Sequence, residues 1–230
     1  MKKLGIIGGL SWHSSLEYYK TLNEMIEGQA EGQGAKIILN SLDFYEITEL
    51  FKTPQNAMKR IAMEAKQLED LGCDHLIFAS NTVHFCFDYV QERLNIPILH
   101  IADAVGGAMA RAGVKTCGLL GTRYTMNQDF YKKRLQEQFQ IDVLIPPKED
   151  RQVVDRIIYD ELVKGQFKEE SRQSYLGIIQ RLQGSGAKAI IMGCTEIPLL
   201  ISQGDTPTLL IDSTREHCKA VAKIVTKDLN

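Results

Sequence analysis

Short apolar runs alternate with longer amphipathic stretches along the whole chain. That alternation predicts an α/β fold of parallel sheets with helices on both faces. The sequence further predicts two pseudo-symmetric, Rossmann-like domains of this kind, with an active site in the cleft between them. Two more observations carry that prediction. The first is an internal repeat: Leu68, Gly72, Leu76 and Ser80 match Leu182, Gly186, Ile190 and Cys194 at one offset of 114 positions. Gly5-Ile-Ile-Gly8 likewise matches Gly118-Leu-Leu-Gly121 at an offset of 113. A constant offset over two separated segments points to duplicated halves. The second is that strand-like runs end in glycine and small polar residues, at the end of an open sheet where ligands bind.

The first strand is expected at residues 4–9, with Gly8-Gly9 allowing a close turn. Ser11 or Ser14 then caps a helix carrying Leu16, Tyr19, Leu22 and Ile26 on one face. Amides at that helix start suit a small anion, and Ser11 is a candidate substrate contact. Neither Gly-x-Gly-x-x-Gly nor Gly-Lys-Ser/Thr is present, so dinucleotide and P-loop readings are set aside. A second strand covers 35–42 and ends at Asp43-Phe44. Pro54 suits the first turn of a helix running through Leu71, with Met58, Ile61, Ala65 and Leu68 inward. The third strand, 75–79, has Ser80-Asn81-Thr82 as its polar tip. A helix through Tyr89 and Leu94 leads to a fourth strand at 97–100.

The second half opens with a helix over 103–112 and a strand over 116–121, tipped by Thr122-Arg123-Tyr124-Thr125. A helix at 128–138, a strand at 142–145 and helices at 151–164 and 169–184 follow. The strand that ends at Gly193 presents Cys194-Thr195-Glu196. A last strand at 208–211 precedes a helix capped by Ser213. The domain boundaries read from this order are 1–100 plus 212–230, and 101–211.

Composition narrows the function. A hydrophobic fraction of 44% with 24% charged residues is that of an ordinary globular protein, and a net charge of −2 gives no footprint for nucleic acid. No apolar run is long enough to span a membrane. The five cysteines form no Cys-x-x-Cys pair, so neither a metal site nor a disulfide framework is indicated. An odd count without a signal peptide fits the cytoplasm. Cys73, Cys86, Cys117 and Cys218 lack the strand-tip pattern and read as structural. Cys194 has it.

A pseudo-two-fold axis relating the halves places Ser80 and Cys194 on opposite sides of one cleft. Two such groups flanking one carbon suit removal of a proton from one face and its return to the other. A thiol fits because neighbouring amides and positive charge can lower its pKa from near 8.5. Glu196 orients Thr195, contacts a substrate ammonium, or serves as a first-turn carboxylate favoured by the helix dipole. His84 reads as a hydrogen-bonding residue at a helix start. His100 with Asp103 reads as a local pair, and Trp12 as packing beneath the first turn.

At these residues the chain resembles the cofactor-independent aspartate/glutamate racemase family. Gly5-Ile-Ile-Gly-Gly-Leu-Ser-Trp12, Ser80-Asn-Thr-Val-His84, Gly121-Thr-Arg-Tyr-Thr125 and Gly193-Cys-Thr-Glu196 carry the resemblance. It implies racemisation of an acidic amino acid without pyridoxal phosphate or other cofactor, and often a homodimer. It implies that Cys194 and Ser80 are the catalytic pair. It also implies that Asn81, Thr82, Thr122, Thr125 and Thr195 hold the carboxylates and ammonium, and that Lys164 grips an acidic side chain. Two positions depart from the pattern. Most of the family has Cys where this chain has Ser80, and an L-specific subgroup, which this chain resembles most, has Thr. Phe51 falls where a polar or basic residue often reaches the substrate. Two alternatives stay open: a single-thiol isomerase or decarboxylase of small acids, and a catalytically weak protein that binds an acidic amino acid.

Overall fold

The computed structural model describes residues 1–28 and 32–227. The chain forms two compact units, Met1–Ile101 with residues 217 onward, and Ala102–Glu216.

In the first unit, strands β1 (Leu4–Gly8), β2 (Ile37–Ser41) and β3 (His75–Phe78) form a parallel sheet of order β2-β1-β3. Ile7 lies beside Asn40 on one side and Phe78 on the other. Because side chains alternate along a strand, the sheet feeds two cores. On one face Ile6 and Ile77 pack with Tyr18, Leu22 and Ile26 of α1 (Trp12–Glu27) and with Val221 and Val225 of the C-terminal helix. On the other face Ile7, Leu76 and Phe78 pack with Ile47 of α2 (Phe44–Leu50), Ile61, Ala65 and Leu68 of α3 (Pro54–Asp70), and Val90 of α4 (Phe87–Gln91). Each fully buried large side chain contributes roughly 1.5–3 kcal/mol.

Several expectations are corrected here. Residues 97–100 do not form a strand; a single bridge joins Ile98 to Leu76. Leu76 exchanges backbone hydrogen bonds with Pro97 and Leu99, and the ladder stops there because the Ile101 amide, which the next step would aim at the Phe78 carbonyl, donates to His84 Nε2 at 3.2 Å. The inward face of α1 is Tyr18, Leu22 and Ile26, while Leu16 and Tyr19 are exposed. Trp12 does not pack beneath the turn; it is 62% exposed and stacks on His13. Gly9 explains the close turn after β1. It sits at φ +85°, and a Cβ there would lie 1.9 Å from the Leu42 carbonyl oxygen.

Helix α5 (Ile101–Arg111) carries the chain into the second unit. There β4 (Thr116–Gly121), β5 (Asp142–Leu144), β6 (Ala189–Gly193) and β7 (Leu209–Asp212) form a parallel sheet of order β5-β4-β6-β7. β4 and β6 are buried along nearly their whole length, as strands covered on both faces must be. The connecting helices are α6 (Arg123–Asn127), α7 (Asp129–Phe139), α8 (Lys148–Asp160), α9 (Glu169–Gly184) and the short α10 (Ile197–Leu200). Asp103 does not pair with His100; Arg134 of α7 takes it in a two-pronged ion pair at 2.6 and 2.7 Å. Helix α11 (Ser213–Val225) is not capped by Ser213. Asp212 accepts the Arg215 amide, and the Ser213 hydroxyl donates to the Met192 carbonyl.

Among the described residues no helix is long and apolar enough to cross a membrane.

Candidate active site

The tip of β3 in the first unit and the tip of β6 in the second carry Ser80 and Cys194. In the second unit β6 ends at Gly193, paired with Gly121 at the end of β4. A Cβ on Gly193 would sit 2.9 Å from the Leu120 carbonyl oxygen, and one on Gly121 would sit 2.8 Å from that of Gly193. Only glycine lets these two tips lie so close, and that closeness sets Cys194-Thr195-Glu196 beside Thr122-Arg123-Tyr124-Thr125.

Cys194 is half-buried, whereas Cys73, Cys86, Cys117 and Cys218 are buried. Burial pushes Cys117 up to about 12 and raises Cys73 and Cys86, as expected of inert structural thiols. Cys194 differs in its surroundings. Its Sγ donates to Glu196 Oε2 at 2.9 Å, and the Thr195 hydroxyl donates to the same oxygen at 2.7 Å. The thiol is held well above its ordinary range, first by burial, then by the Glu196 charge and the hydrogen bond to it. The Thr195 and Glu196 amides pull the other way but are outweighed. The expectation of a depressed thiol pKa is therefore corrected. The resting group is a neutral thiol coupled to a carboxylate.

Thr122 caps α6: the Thr125 amide donates to its Oγ1 at 3.2 Å, and the two hydroxyls lie 3.1 Å apart. Asp155 on α8 secures the same turn by accepting the Arg123 amide at 2.6 Å. Sequence reasoning missed Asp155 and its helix neighbour Tyr159. Tyr159 is exposed overall, yet its phenol is pushed up to about 12, first by lost hydration, then by Asp155, Cys194 and Glu196, with Arg123 opposing. Tyr175 of α9 is raised too, first by burial, then by Cys194, Asp155, Glu161 and Glu196. The i,i+4 spacing of Asp155 and Tyr159, which puts both on one helix face, was the available signal. Lys164 ends a 3₁₀ turn after α8; it is exposed and makes no ion pair among the described residues. No observed contact ties it to the Cys194 group.

In the first unit β3 ends at Phe78, and Ser80, Asn81 and Thr82 form its tip. Asn81 is buried, and Ser80 and Thr82 are half-buried. Among the described residues the Ser80 hydroxyl makes no hydrogen bond, but its carbonyl accepts from His84 Nδ1 at 2.8 Å. Ser11 lies beyond the tip of neighbouring β1. It adopts φ +118°, rare for a residue with a side chain, and its hydroxyl accepts the Ser14 amide at 3.4 Å. Held strain of this kind concentrates at ligand sites. Phe51 instead packs into the core around Ile47 and Ile61, edge-on to Phe85 at 5.6 Å.

Among the described residues no group of three or more His, Cys, Asp or Glu side chains is placed to hold a metal ion.

Comparisons with known proteins address the fold and the family. The chain superposes on a candidate Asp/Glu racemase from Yersinia pestis with a TM-score of 0.92 and 41% identity, covering 98% of this chain and 99% of that one. For an aspartate racemase homologue from Pyrococcus horikoshii the TM-score is 0.86 and the identity 34%, covering 98% and 100%. A glutamate racemase of Mycobacterium ulcerans is 27% identical over 165 residues, 68% of this chain and 58% of that protein. The chain thus spans 58% of that relative's length. A family model described as Asp/Glu/Hydantoin racemase matches residues 7–221, which takes in both strand tips. By that match the chain belongs to the Asp/Glu/Hydantoin racemase family.

Proposed function

We propose that this protein racemises aspartate or glutamate without a cofactor, with Cys194 and Ser80 working from opposite sides of the substrate α-carbon. The observation that carries the reading is the thiol–carboxylate pair at the tip of β6. A neutral thiol is a poor base, but Glu196 Oε2 lies 2.9 Å from its sulfur and can take its proton. Binding of a substrate ammonium nearby favours that transfer, since a positive charge stabilises the thiolate. The thiolate then removes the α-proton, and the electron pair stays on the α-carbon, spread into the adjoining carboxylate. The Ser80 hydroxyl, or a water it holds, returns a proton to the other face and is reprotonated from solvent. The proton on Glu196 leaves to solvent, so the cycle closes with no net change in protons.

Asn81, Thr82, Thr122, Thr125, Thr195 and Ser11 supply hydrogen bonds to the carboxylates and ammonium in this scheme. Lys164 reaches the side-chain carboxylate of the substrate. Phe51 has a packing role. The five free thiols fit a reducing cytoplasm, and the working form is a homodimer, as in many of the racemases the sequence resembles.

The test is circular dichroism of L-aspartate, L-glutamate and a panel of malonates incubated with the protein and with a Cys194→Ala variant. Loss of the L-amino acid signal with the unsubstituted chain alone is the expected result. Consumption of a malonate instead points to a decarboxylase. Binding without any loss of signal points to a sensor of acidic amino acids, the alternative favoured by Ser80 standing where a second thiol is expected.

A further inference from the structure

Three of the five histidines, His84, His100 and His217, are buried together behind the tip of β3. The His84 ring lies 4.5 Å from that of His100 and 6.0 Å from that of His217, with Phe78 at 5.2 Å. Phe87 stands edge-on to His100 at 4.7 Å. Rings packed from several sides leave His84 little freedom to rotate. Its hydrogen bonds then settle its protonation. The Ile101 amide donates to His84 Nε2 at 3.2 Å, so Nε2 carries no proton. Nδ1 faces the Ser80 carbonyl, which can only accept, at 2.8 Å, so Nδ1 carries the proton. His84 is therefore a neutral imidazole locked in one tautomer.

A second histidine supports the first. His217 Nε2 donates to the Leu99 carbonyl at 2.9 Å, and its Nδ1 accepts from the Tyr18 hydroxyl at 2.9 Å. Residues 99–101 are thus gripped at Leu99 by one imidazole and at Ile101 by the other. Ile101 is also the last residue of the first unit before the chain passes into the second.

We propose that His84 is a positioning residue for Ser80: it fixes the backbone of the serine tip against residues 99–101, and its own nitrogens take no part in proton transfer to substrate. This rests on the racemase reading for its kinetic consequence, but its structural content stands apart from that reading. A serine hydroxyl with no hydrogen-bond partner among the described residues depends on placement for whatever acid function it has, and a shift on the order of 1 Å in such a group costs up to about a hundredfold in rate.

Two measurements test it. Nitrogen-15 spectra of the imidazoles at neutral pH should show His84 with Nδ1 protonated and Nε2 bare, and His84→Ala should shift the amide signal of Asn81. An Nε2-protonated or doubly protonated His84 overturns the proposal. In heavy water, α-proton exchange is followed from each enantiomer separately. His84→Ala should slow exchange about tenfold from the enantiomer that Ser80→Ala also slows, and leave the other within about twofold. His84→Asn, which keeps a donor near the Nδ1 position, should restore most of the loss. Equal slowing from both enantiomers would indicate general damage and also overturns the proposal. Absence of exchange from both enantiomers in the unsubstituted chain sinks the racemase reading alone, and the tautomer then still decides the role of His84.

Discussion

The tips of β3 and β6 are the same structural device carrying different chemistry. Each ends a buried parallel strand, and each passes through a small residue into a polar turn. At β6 the proposed acid–base group is bonded through its side chain, with the Cys194 thiol and Thr195 hydroxyl sharing one oxygen of Glu196. At β3 the proposed group is held through its backbone, with His84 on the Ser80 carbonyl. A side-chain partner tunes proton affinity; a backbone partner tunes position. The difference teaches that duplicating a fold preserves where a group is presented, while its chemistry depends on which neighbour reaches the side-chain atom.

The largest expected effect tests the β6 side. Cys194→Ala should lower racemisation by about 1,000-fold, within the range attributed to a positioned acid–base group, with circular dichroism of the backbone unchanged. Retention of activity would move the chemistry away from this tip. Next is Glu196→Gln, which should separate two properties that usually move together. Both the charge of Glu196 and its hydrogen bond raise the thiol pKa, so removing them lowers it and increases the thiolate fraction at a given pH. Alkylation of Cys194 by iodoacetamide should therefore begin at lower pH in the variant. Racemisation should nevertheless fall about tenfold or more, because the thiol proton has lost its acceptor. Faster racemisation would show that Glu196 only restrains the thiol.

On the β3 side, Ser80→Cys should speed exchange from the enantiomer served by that tip by about tenfold, since a thiol is a far stronger acid than a hydroxyl. An unchanged rate would show that the hydroxyl is a bystander. The smallest effect on catalysis is expected from Phe51→Ala. It should cost about 2 kcal/mol of stability, less than for a fully buried phenylalanine, seen as a lower denaturation midpoint, with KM unchanged. A large rise in KM would return Phe51 to the substrate.

How much of this was legible in the sequence follows from range. The central strands β1, β4 and β6 were visible because consecutive apolar residues are needed when a strand is covered on two faces. The strand expected at 97–100 is cut to one bridge because the His84 ring takes the Ile101 amide, and no periodicity reports a side chain competing for a backbone donor. The inward face of α1 was misjudged for a similar reason. Tyr18 turns inward because its hydroxyl has a buried partner in His217, at the far end of the chain. The place of Cys194 at a strand tip was legible from its glycine and its repeat. The direction of its pKa was not, because that depends on Glu196 turning back toward the sulfur. Asp155 and Tyr159 lie on a helix whose pattern showed only that it is amphipathic.

The most direct test of the pairing of Cys194 with Ser80 is the rate of α-proton exchange in heavy water, measured from L- and D-enantiomers of aspartate and glutamate separately. Unequal rates are predicted, with the faster exchange abolished by Cys194→Ala and the slower one reduced by Ser80→Ala. Equal, fast exchange from both enantiomers would contradict a thiol–hydroxyl pair.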